Sequence, residues 1–468
     1  MRRISPFAFL AGSAMLVGGC NLAPTYVRPT GAVPAALPQG GVYPAAKTDA
    51  PDIATVGWRD FFLDPRLRAV IQTGLDNNRD LRIAAANVLQ ARAQLRVQRA
   101  DLVPTTALSG SATYTDSASN GAGSGQNIDY YNVDAGFSSF ELDLFGRIRN
   151  LNRAAQEQVF ASEEAQDSAR ISLIAEIATA WLTLGADQEQ LQLSRETLKT
   201  FDDTLRLTRA QFKVGVGSDL EVQQAETNYQ AARNDIAALE TQIAQDHNAL
   251  NLLVGTTVSA DQLPTTLDAA PVTRDALPAN LSSDVLLHRP DVLEAEHQLI
   301  AQNANIGAAR AAFFPTISLT AAVGTLSGAL SGLFTGGSFT YSASPSASLP
   351  LFDGGRRAGN LAYAKASRTA AVATYEKAIQ TAFREVADAL AQRGKIDERI
   401  DAQTARANAA GVAARLSEAR FRAGVDSFLT TLDAQRTAYA ARQQLVTTQL
   451  TKASNLVELY RSLGGGLK

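Results

Sequence analysis

The chain contains a long internal repeat. Phe212-Lys213-Val214-Gly215-Val216-Gly217-Ser218-Asp219-Leu220 returns as Phe421-Arg422-Ala423-Gly424-Val425-Asp426-Ser427-Phe428-Leu429. The same offset carries Arg206 onto Arg415, Ala225 onto Ala434, Gly255 onto Gly464, and Gly146-Arg147 onto Gly355-Arg356. A duplication on this scale constrains the fold before any local motif does, because both copies must build the same unit. Each copy reads as strands followed by long helices, and neither can cover its apolar stripe alone.

The N-terminus reads as a leader. Arg2 and Arg3 precede a short apolar run, Phe7 to Val17, too short to span a bilayer as a helix. It ends in Val17-Gly18-Gly19-Cys20, small residues before a cleavage point, as in a secretory signal peptide. Cys20 at the first mature position resembles the bacterial lipobox, where the thiol is acylated. It is the single Cys of the chain, so no intramolecular disulfide can form. Asn21 follows it, and in lipoproteins an Asp there would suggest retention at the inner membrane. One lipid signal anchors weakly, so a second attachment is expected.

Formal net charge is −3, and loss of Arg2 and Arg3 makes the mature chain more negative. That argues against a nucleic-acid or anionic-lipid partner recruited by net charge. Aromatic residues are only 7%, which suits closely packed helices. After Cys20 no helical run of apolar residues is long enough to cross a bilayer, so any crossing must be made by strands.

Residues 21–57 are rich in Pro, Ala and Gly and read as an extended tether. Trp58 to Asn77 reads as one amphipathic helix, and Asp80 to Leu102 as a second, stopped by Pro104. The period then changes to two. Val133, Ala135 and Phe137 alternate with Asp134, Gly136 and Ser138; Ile317, Leu319, Ala321 and Val323 alternate with Ser318, Thr320 and Ala322. Phe339 to Leu351 alternates likewise with Thr340, Ser342, Ser344, Ser346 and Ser348. Such alternation marks strands with one apolar face. Gly/Ser-rich loops at 116–127 and 325–337 join the two pairs. Either this is a small soluble sheet on a core, or it is part of a barrel with lipid outside and water inside. Four strands cannot close a barrel, so the second reading requires several subunits.

From Arg147 to Lys213 there is no Pro and a single Gly, Gly185, a run that would extend roughly 100 Å as a helix. Ile177, Leu184, Leu191, Leu198, Leu205 and Phe212 recur every seventh residue; Leu432, Tyr439, Val446, Ala453 and Tyr460 do the same in the second copy. A sustained period near 3.5 predicts coiled-coil packing. Gly215/Ser218 and Gly424/Ser427 are then hairpin tips, with Gly as left-handed C-cap and Ser as N-cap. Glu221 completes a capping box with Ser218. The two tips are expected side by side, far from the strands. Thr256–Ser283, with Pro264, Pro271 and Pro278, reads as a linker.

Little chemistry is legible. His247, His288 and His297 do not lie at metal-ligand spacing. Glu294 and Glu296 read as a solvated face, and Asp291 after Arg289-Pro290 as a first-turn acid. No phosphate loop, nucleophile elbow or Ser/His/Asp set appears, so an enzyme has little support.

Val17–Cys20 followed by Pro24-Thr25-Tyr26-Val27-Arg28-Pro29, the strand pairs, Arg289-Pro290-Asp291, Phe352-Asp353-Gly354-Gly355 and the duplicated tips resemble the outer membrane factors of the TolC superfamily, in particular their lipoprotein, OprM/NodT-like branch. The resemblance implies a mainly α fold with a small β part. It also implies a homotrimer whose strands close a twelve-stranded outer-membrane barrel, continued into the periplasm by an α-helical coiled-coil barrel. Such a duct catalyses nothing and needs no cofactor beyond a diacylglycerol and an N-acyl chain on Cys20. Its partners would be outer-membrane lipid, a periplasmic adaptor and an inner-membrane transporter, usually of the resistance-nodulation-division type. The tips Gly215, Ser218, Gly424 and Ser427 would meet that adaptor or pump. Leu429 and Asp433 match the positions that constrict the family's periplasmic end: three Leu429 form an apolar plug, and three Asp433 a ring of like charge. A second acid found one turn earlier in the superfamily's namesake is Thr430 here, and the first-copy equivalent of Asp433 is Gln224. The residues alone favour Leu429 as seam packing and Asp433 as a solvated acid; the resemblance reverses that reading.

The expected organisation is a signal peptide (1–19), a lipidated tether (20–57), a first repeat (58–255), a linker or equatorial segment (256–283) and a second repeat (284–468). The expected function is the exit duct of a tripartite efflux system. A lipid-anchored structural coiled coil without a pore and a type I secretion duct are the alternatives.

Overall fold

The computed structural model describes residues 21–44, 56–115, 128–267, 272–274 and 282–465. The leader, Cys20 and the loop at 116–127 lie outside the described residues. The described elements are α1 (Trp58–Phe61), α2 (Pro65–Asn77), α3 (Arg79–Ala100), β1 (Ala107–Thr115), β2 (Ile128–Glu141), α4 (Arg147–Lys213), α5 (Asp219–Val254), α6 (Pro290–Ala311), β3 (Thr316–Ser327), β4 (Phe339–Ser348), α7 (Arg356–Arg422) and α8 (Phe428–Ser462). The chain is mostly helical with one small antiparallel sheet. It divides into two compact units, one of residues 1–30, 87–163 and 294–376, the other of 31–86, 164–293 and 377–468. Each unit draws on both copies of the repeat.

The first unit holds the sheet, with strand order β1-β2-β3-β4 and every pairing antiparallel. The register joins the alternations of the separate strands into two continuous faces. Leu108, Ala135, Val323 and Tyr341 lie side by side on one face, as do Phe137, Ala321 and Ala343. Ser109, Asp134, Gly324 and Thr340 share the other, with Ser111, Ala322 and Ser342 near them. A bulge between Phe137 and Phe140 interrupts β2, where Ser139 takes a positive φ of 53° and its N–H donates to Thr320 Oγ1 at 3.0 Å. β3 runs two residues past the expected loop start, and β4 stops at Ser348 although the alternation continues to Leu351.

Two glycines allow β2 and β3 to approach closely. A Cβ on Gly324 would lie 2.2 Å from the Val133 carbonyl oxygen, and one on Gly136 2.3 Å from that of Ala321. At the foot of the sheet Arg147 grips Glu141 through two bonds of 2.9 and 2.6 Å, and Phe145 stacks on Phe314 with centroids 4.7 Å apart.

The N-terminal segment is extended, but in this unit it is fastened to α6 rather than loose. Arg310 donates to the Leu22 carbonyl and Asn303 to that of Pro24, while Ala23 lies against Gly307. Tyr26 donates to Glu296 Oε1 at 2.9 Å, and Arg28 forks onto both carboxylate oxygens at 2.8 and 2.7 Å. Glu296, expected on a solvated face, is therefore buried and paired, and Glu294 is half-buried and accepts from Gln298. Helix periodicity could not reveal a cover supplied by a segment so far away in sequence.

The second unit is built on paired helices. The single helix expected over Trp58–Asn77 is two: Phe62 leaves the helix to bridge Thr273, and Asp64 caps a new start at Pro65 through the N–H groups of Arg66 and Leu67. Trp58, Phe61 and Phe62 are buried with Tyr460, whose ring stacks on Phe61 at 4.0 Å. Arg289 is buried too. It forks to Asp291 at 3.0 and 2.7 Å, reaches Glu385 at 2.9 Å and donates to the Ser462 carbonyl. It ties the start of α6 to α7 and to the end of α8, while Asp291 serves as its clamp. The apolar stretch of α4 from Ile171 to Ala186 is a core stretch, with Ile174, Ile177, Trp181 and Leu184 all buried. The seventh-residue seam holds at Ile177, Leu184 and Leu205 but has turned outward by Phe212, which is 49% exposed. A straight helix drifts against a seven-residue repeat, which accounts for the turn.

Asp187 on α4 shares a hydrogen bond with Asp246 on α5, and its carboxyl is pushed up to about 7, first by burial and then by that neighbour. The folded chain thus holds a proton that the unfolded chain releases near 4. Stability from this pair is present at low pH and is lost as pH rises through about 7. Asp246→Asn keeps a hydrogen-bonding partner and removes the repulsion. It is expected to flatten the loss of melting temperature between about pH 5 and 8, measured by thermal unfolding. For the sheet, Gly324→Val is expected to abolish the native pairing of β2 with β3, whereas Gly110→Val, where a Cβ finds 3.7 Å to its nearest neighbour, is tolerated. Yield of protein with native strand content, read by circular dichroism, checks this.

Candidate functional site

The two hairpin tips lie together in the second unit. At the first tip α4 ends at Lys213, Gly215 takes φ +80°, and Ser218 starts α5. The Ser218 hydroxyl accepts from the Glu221 N–H at 3.3 Å, and the Glu221 carboxylate accepts from the Ser218 N–H at 2.9 Å, a complete capping box. At the second tip Gly424 takes φ +74° and Ser427 caps α8 through the Thr430 N–H at 3.3 Å. Thr430 cannot return the bond as Glu221 does. Arg420 stiffens this tip instead, with two bonds of 2.7 and 2.9 Å to Asp426. That ion pair holds the Asp426 carboxyl below its ordinary range. The first copy has Gln211 and Gly217 at these two positions, so each tip is braced differently.

An apolar seam joins the hairpins. Leu205, Val222 and Ala225 of the first pack against Phe428 and Leu432 of the second, with Tyr229 and Phe421 at the margin. Polar ties continue the seam along the same helices. Gln435 donates to Thr204 Oγ1 at 3.2 Å, and the Tyr439 hydroxyl donates to Asp235 at 3.0 Å and meets Ser194 Oγ at 2.8 Å. Burial first, then Asp235, pushes the Tyr439 phenol up to about 12, so it stays protonated and remains a donor.

This seam fixes where Leu429 and Asp433 go. Phe428, Leu432, Gln435 and Tyr439 follow three-four spacing and claim one face of α8. Leu429 and Asp433, each one residue further on, turn away from it together. Leu429 is 61% exposed, and Asp433 is exposed with no hydrogen bond or ion pair among the described residues. Leu429 is thus not seam packing within the chain. Hydrophobicity alone does not choose between Phe428 and Leu429 as the seam anchor; the spacing from Phe428 to Leu432, Gln435 and Tyr439 was the available signal. Val214, Val216, Leu220 and Val425 are also largely exposed, so both tips present apolar side chains to solvent.

The His residues are not brought together. His297 contacts Glu157 at 2.7 Å, and His247 lies 3.4 Å from the Asn251 amide. No cluster of three metal-ligating side chains occurs among the described residues. Phe428→Ala is expected to cost about 3 kcal/mol at the seam. Hydrogen exchange should rise in both tips, including the unmutated first one, while the sheet keeps its protection.

Comparison with known proteins agrees with this architecture. The sequence profile of the outer membrane efflux protein family matches twice, over residues 70–256 and 281–465. The antibiotic efflux pump outer membrane protein ArpC of Pseudomonas putida is 46% identical over 462 residues, covering 98% of this chain and 95% of its own. The toluene efflux pump outer membrane protein TtgC of Pseudomonas putida shows the same identity and coverage. The crystal structure of the open state of the Neisseria gonorrhoeae MtrE outer membrane channel superposes with a TM-score of 0.85 at 37% identity, covering 96% of this chain and 99% of that one. Sequence, duplication and fold lead to one conclusion: the chain belongs to the outer membrane efflux protein family.

Proposed function

We propose that three copies of this chain assemble into a lipid-anchored duct that passes small toxic compounds out of the cell, with Leu429 and Asp433 as its periplasmic gate. The chain is an outer-membrane efflux channel, not an enzyme, and works with an inner-membrane transporter and a periplasmic adaptor. The finer reading rests on one observation above all. The four-stranded sheet has an apolar face running through all four strands, and the outer edges of β1 and β4 pair with no other strand among the described residues.

In hydrocarbon an unpaired strand edge leaves N–H and C=O groups unsatisfied at several kcal/mol each. Pairing β4 of one copy with β1 of the next removes every edge, and three copies of four strands give a twelve-stranded cylinder. The apolar face then meets lipid and the hydroxylated face meets water. Acyl chains on Cys20, with its lipobox, would add the second attachment of the OprM/NodT-like lipoproteins.

At the periplasmic end the free face of α8 supplies three Leu429 and three Asp433, an apolar constriction followed by a carboxylate ring. Like charges oppose tight closure, so the gate rests near balance, and an adaptor or pump meeting the apolar tips around Gly215, Ser218, Gly424 and Ser427 can open it. The resemblance to proteins named for antibiotic and for toluene efflux supports apolar drugs and solvents as cargo. Resistance-nodulation-division pumps are the matching transporter class.

Purified protein is expected to run as a trimer and to conduct poorly in planar bilayers. Leu429→Ala combined with Asp433→Ala should raise the mean current about tenfold. Deletion of the gene should sensitise cells to solvents and antibiotics, with restoration by the intact chain. A monomer, or a trimer whose current ignores the double substitution, would refute the gate.

A further inference from the structure

The hydroxylated face of the sheet carries a carboxyl side chain that the gate does not use. Among the described strand residues the only ionisable carboxylates are Asp129, Asp134 and Glu141, and there is no Lys or Arg. Asp129 pairs with Tyr114, on the apolar face beside the loop. Glu141 is neutralised by Arg147. Asp134 remains, in the middle of β2, where among the described residues it has a single bond, from the Ser109 hydroxyl at 2.8 Å, and no cation. Its partner across β3 is Gly324, which has no side chain to cover it, and the surrounding positions on this face are Ser111, Asn132, Ala322, Leu326, Thr340 and Ser342.

We propose that Asp134 makes the membrane-spanning part of the duct cation-preferring on its own account, independently of Asp433. The inference rests on the trimeric barrel reading above, which turns this face inward. Strands about 4.8 Å apart and tilted about 40° put the backbone of a twelve-stranded cylinder about 12 Å from its axis. An inward carboxylate then stands within about 10 Å of the axis, one Debye length at about 0.1 M salt. Three such charges, on a face otherwise carrying hydroxyls and small side chains apart from Tyr130, Asn132 and Leu326 toward the loop end and the paired Glu141 at the foot, reach every ion that passes. At about 1 M salt the screening length falls to about 3 Å, and the same charges influence only ions that touch the wall. A carboxylate ring here draws in cationic solutes and slows anionic ones at the last stage of exit, whatever the gate admits.

The test is the reversal potential of single channels in a potassium chloride gradient. The background is Leu429→Ala with Asp433→Ala, which opens the gate and removes its carboxylate. At about 0.1 M salt that channel should prefer potassium over chloride, and adding Asp134→Asn should lower the preference about twofold or more. Asp134→Lys should favour chloride, and both effects should fade at about 1 M salt. Asp134→Ser, which extends the hydroxyl lining, substitutes if the Asn variant does not assemble. Channels that conduct with an unchanged preference after loss of Asp134 would overturn the proposal. Trimers that insert but never conduct, with or without Asp134, would overturn the duct reading beneath it instead.

Discussion

A β-strand cannot leave its edge in hydrocarbon, and that constraint governs most of what this chain is. One copy supplies an ordered sheet with one apolar face, two open edges and nothing to close them. The outer N–H and C=O groups along β1 and β4 pair with no other strand among the described residues. The proposed oligomer would close that hydrogen-bond accounting. In the proposed trimer, three chains would satisfy the edges and create an inside at once.

The duplication supplies both strand pairs of that sheet, but the copies have diverged at their tips. Both tips share the left-handed glycine and the capping serine, because a helical hairpin needs both. They differ in the brace: Glu221 closes a capping box on one side, and the Arg420–Asp426 pair does the stiffening on the other. They differ again one helical turn in, where Gln224 stands opposite Asp433 in the repeat. The seam explains why this matters. Phe428 and Leu432 fasten the second hairpin to the first, so the residues beside them, Leu429 and Asp433, are held on the free face. The apolar packing that joins the two copies thus also aims the candidate gate.

Much of this was legible in the sequence. Period two marked the strands, period seven the long helices, and Gly-x-x-Ser the tips, because these patterns record local rules of backbone and burial. What remained hidden depends on partners remote in sequence. Glu296 has the neighbours of a solvated acid and becomes a buried one only because Tyr26 and Arg28 lie across it. Arg289 looks like the residue before a helix-starting proline, yet it is buried against Asp291, Glu385 and Ser462. The break between Phe61 and Pro65 follows from a bridge to Thr273 that no periodicity announces. For the candidate site the sequence supplied the residues and the structure supplied their direction.

The fastening of the N-terminal segment bears on the order in which the molecule can form. Leu22, Pro24, Tyr26 and Arg28 all find their partners on α6, more than half the chain later. During synthesis those partners do not yet exist when the N-terminus emerges. That segment cannot settle before α6 is made, and its docking carries the entropy of closing a long loop. Docking of this segment onto α6 thus waits on synthesis of the second repeat, so the fastened N-terminal segment reports that α6 has been made.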